Sequence, residues 1–234
     1  MSFLFFGLLV IPWKVDYRME VTMMIERIAS NLGRNDEEPN IELAILLCTT
    51  KNTEGIKEIA HGLKDKNTQI ANDCIKVLYE IGERKPELIS EYVYDFIQLL
   101  KSKNNRMVWG GMTALSKIAY LKPEEIYNNL DSVVKAYENG SVITVDNAVS
   151  VFAKICKINE KYEKIVFKLI LKHLETCRPK EVAQHSERAF ICVTSNNSKE
   201  FMDVLLKRKE SLTDAQIKRV NKLIKKIELG QYHS

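Results

Sequence analysis

Apolar residues recur along this chain in a stripe whose spacing repeats as well as its composition. In "NTQIANDCIKVLYEIGER" the positions Ile70, Cys74, Val77, Leu78 and Ile81 stand 4, 3, 1 and 3 residues apart, one face of an α-helix. Thirty-seven residues on, Met107, Gly111, Ala114, Leu115 and Ile118 take the same places; after another 37, Thr144, Ala148, Val151, Phe152 and Ile155 do so. A small residue recurs mid-stripe, as two closely approaching helices require. A second stripe follows each first one: Val93, Phe96 and Leu100, then Leu130, Val133 and Tyr137, then Phe167, Ile170 and Leu174. Pro86-Glu87 and Pro123-Glu124 mark its start, since proline fits a first helical turn and an acid there suits the helix dipole. The polar stretches "KDKNT", "KSKNN" and "ENGS" separate the units as stop-and-restart signals.

The pattern extends outward with small slips. Residues 41–67 read as an earlier unit with a shorter internal turn, and residues 179–210 as a later one. "TDAQIKRVNKLIKKIELG" is a final helix, opening on a Thr213 cap and closing on Gly230, with a Lys/Arg-rich outer face suited to the end of an array. The expected division is an N-terminal apolar segment with a capping helix (1–40), repeats (41–212) and a C-terminal capping helix with a tail (213–234). One helical hairpin cannot bury its apolar stripe alone, so a period of this length predicts an all-α solenoid of about five stacked hairpins.

The segment "NRMVWGGMTALSKIAYLKPEEI" and its two neighbours resemble the HEAT/armadillo superfamily of helical repeats: a first helix with a small-residue stripe and an Ala-Leu-x-x-Ile ending, then a Pro-led second helix. The resemblance covers about 41–210 and implies a right-handed solenoid. Arg106 holds the usual basic position of the first helix in one unit only; Ile70 and Thr144 stand near its equivalents. The tetratricopeptide and ankyrin signatures are absent.

Composition narrows the class. Nine Gly and 5 Pro in 234 residues oppose a turn-rich β protein. The five cysteines are at least 15 residues apart, neither a disulfide framework nor a C-x-x-C zinc pattern, and read as buried free thiols in a reducing compartment. "MSFLFFGLLVIPW" is too short to span a bilayer and lacks signal-peptide features. It reads as a segment packed on the first repeat or as an over-extended start before Met19 or Met23, with a membrane anchor third; the expected location is cytoplasmic. Charge is uneven: residues 1–83 carry a net −4, residues 84–153 zero, and residues 154–228 a net +8. Lys161, Lys164, Lys168 and Lys172 recur along one helix face, as do Lys218, Lys222, Lys225 and Lys226.

No P-loop, G-x-G-x-x-G or G-x-S-x-G occurs, and Gly110-Gly111 reads as a close-packing site. His61, His173, His185 and His233 form no H-x-x-x-H and are read as lying outside metal spacing of any Cys; His173 is expected in the core. No catalytic group, metal or cofactor is expected, and a nucleophile–base pair from Cys177 or Cys192 with His185 is a remote alternative. Arg106 and Trp109, three apart on one helix, are an aromatic-plus-cation candidate for partner contact; the plainer reading packs Trp109 on the adjacent hairpin with Arg106 tying loop carbonyls. The leading expectation is a non-enzymatic scaffold whose second helices line a concave surface that binds another protein, an acidic one at the basic end. Its contact residues are Glu91, Tyr94, Asp95, Gln98, Asn128, Asp131, Lys135, Lys164, Lys168 and Lys172, with Arg106 and Trp109. The resemblance also implies an alternative, a HEAT-like DNA-binding protein or DNA alkylation repair glycosylase, in which Trp109 would aid recognition; the acidic N-terminal half opposes nucleic acid as a partner. A phycobilin-lyase-like protein shares the repeat without a supporting site.

Overall fold

A computed structural model describes residues 23–232. Within them every regular element is helical: α1 (Glu38–Thr50), α2 (Thr53–His61), α3 (Thr68–Arg84), α4 (Val93–Leu99), α5 (Asn105–Ile118), α6 (Pro123–Tyr127), α7 (Leu130–Asn139), α8 (Val142–Cys156), α9 (Glu160–Thr176), α10 (Pro179–Ala189), α11 (Ser198–Arg208) and α12 (Asp214–Glu228). They form five hairpins and a closing helix: α1/α2, α3/α4, α5/α7, α8/α9, α10/α11 and then α12. The expectations for residues 1–22 lie outside the described residues. Before α1, the only helical piece described is the single 3-10 turn Met24–Arg27, so the N-terminal capping helix is reduced to one turn over this stretch. No described helix is long and apolar enough to cross a membrane.

Local chemistry starts these helices. Asn52, Asn67, Asn104 and Asn159 each accept a backbone N–H from the first turn of the helix that follows, and Ser141 does so for α8. At α12 the Gln216 side chain accepts from the Thr213 N–H, as a capping box does, and Gly230 closes the helix at φ +65°.

The repeated stripe is the core. Of its fifteen positions in α3, α5 and α8, all are buried except Ile70, which is half-buried. The Gly110-Gly111 pair explains how α5 sits so close to its neighbours. A Cβ on Gly110 would lie 2.7 Å from Ile75 Cγ1; one on Gly111 would lie 2.9 Å from Leu99 Cβ and 3.0 Å from the Phe96 carbonyl. The glycines thus seat α5 against α3 and α4.

The second helices differ from expectation. Pro86 starts only the 3-10 turn Pro86–Leu88, and the helix proper begins at Val93. Pro123 starts the short α6, which ends before Asn129 leaves helical geometry at φ −115°, ψ 23°. The Asn129 amide donates to the Glu125 carbonyl, satisfying locally an oxygen released by the break. The first helices α1, α3, α5 and α8 pack side by side along their length, whereas α2 and α4, or α7 and α9, scarcely meet.

Candidate functional site

The first helices are joined by polar ties between residues about one period apart. Asn40 Nδ2 donates to Asp73 Oδ1 at 2.8 Å, Asn104 Nδ2 to Asn72 Oδ1 at 2.9 Å, and Asn147 Nδ2 to Thr113 Oγ1 at 3.0 Å. Lys154 reaches the Ser116 carbonyl, Arg188 the Ser150 hydroxyl at 2.8 Å, and Arg219 the Glu187 carboxylate. Two of these seams gather into larger knots.

The first knot holds Arg106 and Trp109. Lys76 lies between Glu37 and Glu80, 2.9 Å from each; Arg106 pairs with Glu37 and Arg84 with Glu80. Burial opposes the Lys76 charge, but the hydrogen bonds to Glu37 and Glu80 outweigh it and raise its pKa. Burial also opposes the charge on Glu37 and Glu80, and there the bonds to Lys76 with Arg106 or Arg84 prevail and lower both. Arg106 stacks 5.6 Å over the Trp109 ring, and Trp109 tilts against Tyr79 with centroids 5.9 Å apart. Trp109 therefore packs on the neighbouring hairpin as the plainer reading held, while Arg106 ties a carboxylate instead of loop carbonyls.

The second knot was not anticipated. Tyr137 Oη lies 2.8 Å from His173 Nδ1, His173 Nε2 lies 2.7 Å from His185 Nδ1, and His185 Nε2 lies 2.7 Å from Asp146 Oδ1. The directions follow from the Asp146 end, because a carboxylate only accepts. It takes His185 Nε2–H, which leaves His185 Nδ1 to accept from His173 Nε2–H and His173 Nδ1 to accept from the Tyr137 hydroxyl. His185 is fully buried and His173 is 4% exposed. Burial, aided by the neighbouring His185, pushes the His173 pKa down to about 4, so this imidazole stays neutral. Cys177 stands at the turn between α9 and α10, and its Sγ and the two imidazoles offer ligand atoms within 4.8 Å of one another. His173 and Cys177, four apart, do share metal-ligand spacing, against the sequence reading; the turn then folds α10 back to add His185. Burial pushes the Cys177 thiol up to about 11, and the facing imidazole nitrogens bond each other. All five cysteines are free thiols, Cys177 alone being half-buried; the Cys192 thiol donates to the Ala189 carbonyl at 3.1 Å.

The splayed second helices leave two clefts. One, of about 640 Å³, lies between the end of α4 and α7 and is lined by Lys101, Lys103, Asp131 and Lys135. The other, of about 400 Å³, lies between α7 and α9; Lys172, His173 and Cys177 reach it. The expected contact residues therefore divide. Asp131 and Lys135 share the first cleft and Lys172 lines the second, while Lys164 and Lys168 stand exposed along α9. Tyr94 and Gln98 are exposed on α4, where Asp95 is tied to Lys64 at 2.9 Å; Arg106 and Trp109 belong to the first-helix side.

No family model and no curated protein matches this chain. Solved structures do. A designed armadillo repeat protein in complex with the peptide (KR)4 is 14% identical, with a TM-score of 0.60 over 86% of this chain and 97% of that one. A computationally designed armadillo repeat protein for modular peptide recognition, also 14% identical, gives 0.61 over the same shares. The fold is an armadillo-like α-solenoid. An engineered protein, 19% identical, gives 0.57 over 89% of the armadillo-like chain and 98% of its own.

Proposed function

We propose that this solenoid is a non-enzymatic scaffold that binds an acidic segment of another protein across the clefts between its second helices. The observation that carries the reading is the cleft between α4 and α7. Lys101, Lys103 and Lys135 surround it, none of them in an ion pair among the described residues, with Asp131 as the opposing charge. Cations held at fixed separation on a rigid stack select and steer an acidic chain without an ordering cost in the scaffold. The exposed α9 lysines extend this field along the same row. Scaffolds of the same fold take peptides, a basic one in the complex with (KR)4, which supports peptide capture in general.

The test is fluorescence anisotropy with a labelled poly-glutamate peptide at low and moderate salt. The native chain should bind, weakening as salt rises. Reversing Lys101, Lys103 and Lys135 to Glu should abolish binding, and reversing Lys164, Lys168 and Lys172 should weaken it. Equal binding by all three proteins would overturn the reading. A duplex DNA that shifts the native chain more strongly than the peptide would favour the nucleic-acid alternative.

A further inference from the structure

The geometry points to a zinc site at the α9–α10 turn, formed by His173 Nε2, His185 Nδ1 and Cys177 Sγ, with a fourth position open to the cleft between α7 and α9. One ligand atom from each residue lies within 4.8 Å of the other two, and the ligand set is two imidazoles and one thiolate. That borderline-soft set suits Zn²⁺ and disfavours Mg²⁺ or Ca²⁺, which take oxygen ligands.

The outer ring of the site is already built. A ligating imidazole is normally oriented by a partner on its other nitrogen. His185 has Asp146 on Nε2 at 2.7 Å, and His173 has Tyr137 on Nδ1 at 2.8 Å. The remaining nitrogens, His173 Nε2 and His185 Nδ1, bond each other, and an ion would take the place of that bond beside Cys177. Tetrahedral coordination at Zn–N of about 2.0 Å separates two ligand nitrogens by about 3.3 Å. The imidazoles stand 2.7 Å apart, so the ion needs them to part by about 0.6 Å. The cleft of about 400 Å³ beside them gives that movement room and gives the ion an entry path.

Proton balance is simple. His173 moves its proton from Nε2 to Nδ1 and donates it to Tyr137 Oη, whose own hydrogen turns away; no proton leaves that ring. Cys177 loses its S–H proton to solvent. Binding therefore releases one proton per ion.

Titration of the full-length reduced chain with Co²⁺, followed by displacement with Zn²⁺, tests the site. The expected result is one Co²⁺ per chain, a thiolate-to-cobalt charge-transfer band in the near ultraviolet, and loss of that band as Zn²⁺ enters. Cys177→Ser should remove the band and weaken binding at least tenfold; Cys177 is half-buried at a turn, so this variant keeps the fold. Asp146→Asn should retain the stoichiometry and weaken binding by roughly 10–100-fold. No charge-transfer band in the native chain, or a band that survives Cys177→Ser, overturns the inference.

Discussion

Between α1, α3 and α5 the solenoid is tied by a cluster of ion pairs; between α7, α8, α9 and α10 it is tied by a phenol and two imidazoles that run in series to one carboxylate. The two knots occupy comparable seams, and depth separates them. Glu37 and Arg106 have side chains 43% and 33% exposed, so water and alternating signs support the charges around Lys76. His173 and His185 are almost wholly enclosed, so their ring nitrogens are matched by hydrogen bonds within the protein and the carboxylate stands at the more open Asp146 end, 25% exposed. The same repeat thus accepts either solution, provided that each donor meets an acceptor.

Three substitutions sharpen that contrast, from the largest effect to the smallest. His185→Ala strands the inner N–H of His173 and the carboxylate of Asp146 and opens a void; urea denaturation should show a loss of about 3–5 kcal/mol. Lys76→Met leaves Glu37 with Arg106 and Glu80 with Arg84, so the loss should be smaller, about 2 kcal/mol. The same variant tests the acid behaviour of the ionic knot. The native pKa values of Glu37 and Glu80 lie below the ordinary 4.5, so the unfolded chain binds more protons there and stability falls as pH drops below about 4.5. Lys76→Met should flatten that acid slope; an unchanged slope would deny the knot its role. Arg219→Ala, at an exposed pair with Glu187 beside α12, should change stability by no more than about 0.5 kcal/mol and mainly blunt the response to salt.

How much of this was readable beforehand differs by feature. The stripe from Ile70 to Ile155 is a periodic signal, and burial forces it, so hairpins and stacking followed from the sequence. The break before Asn129 was hidden, because a Pro-led amphipathic run looks alike whether it is one helix or two. The relay was hidden for another reason. Its members come from four helices, with Tyr137 and His173 36 apart and Asp146 and His185 39 apart. Those separations fall one short of and two past the 37-residue period, so a strict alignment sets Tyr137 against Leu174 and Asp146 against Ala183 and misses both pairs. His173-x-x-x-Cys177 was visible as spacing, but only the turn at Arg178 brings His185 to it.

The lysine-covered side of α12 has a consequence for length. Val220, Leu223, Ile224 and Ile227 face inward while Lys218, Lys222 and Lys225 meet water, so the outer face of α12 offers charge where the inner helices offer an apolar stripe. A hairpin engineered to stack on α12 would therefore need that lysine face exchanged for an apolar stripe.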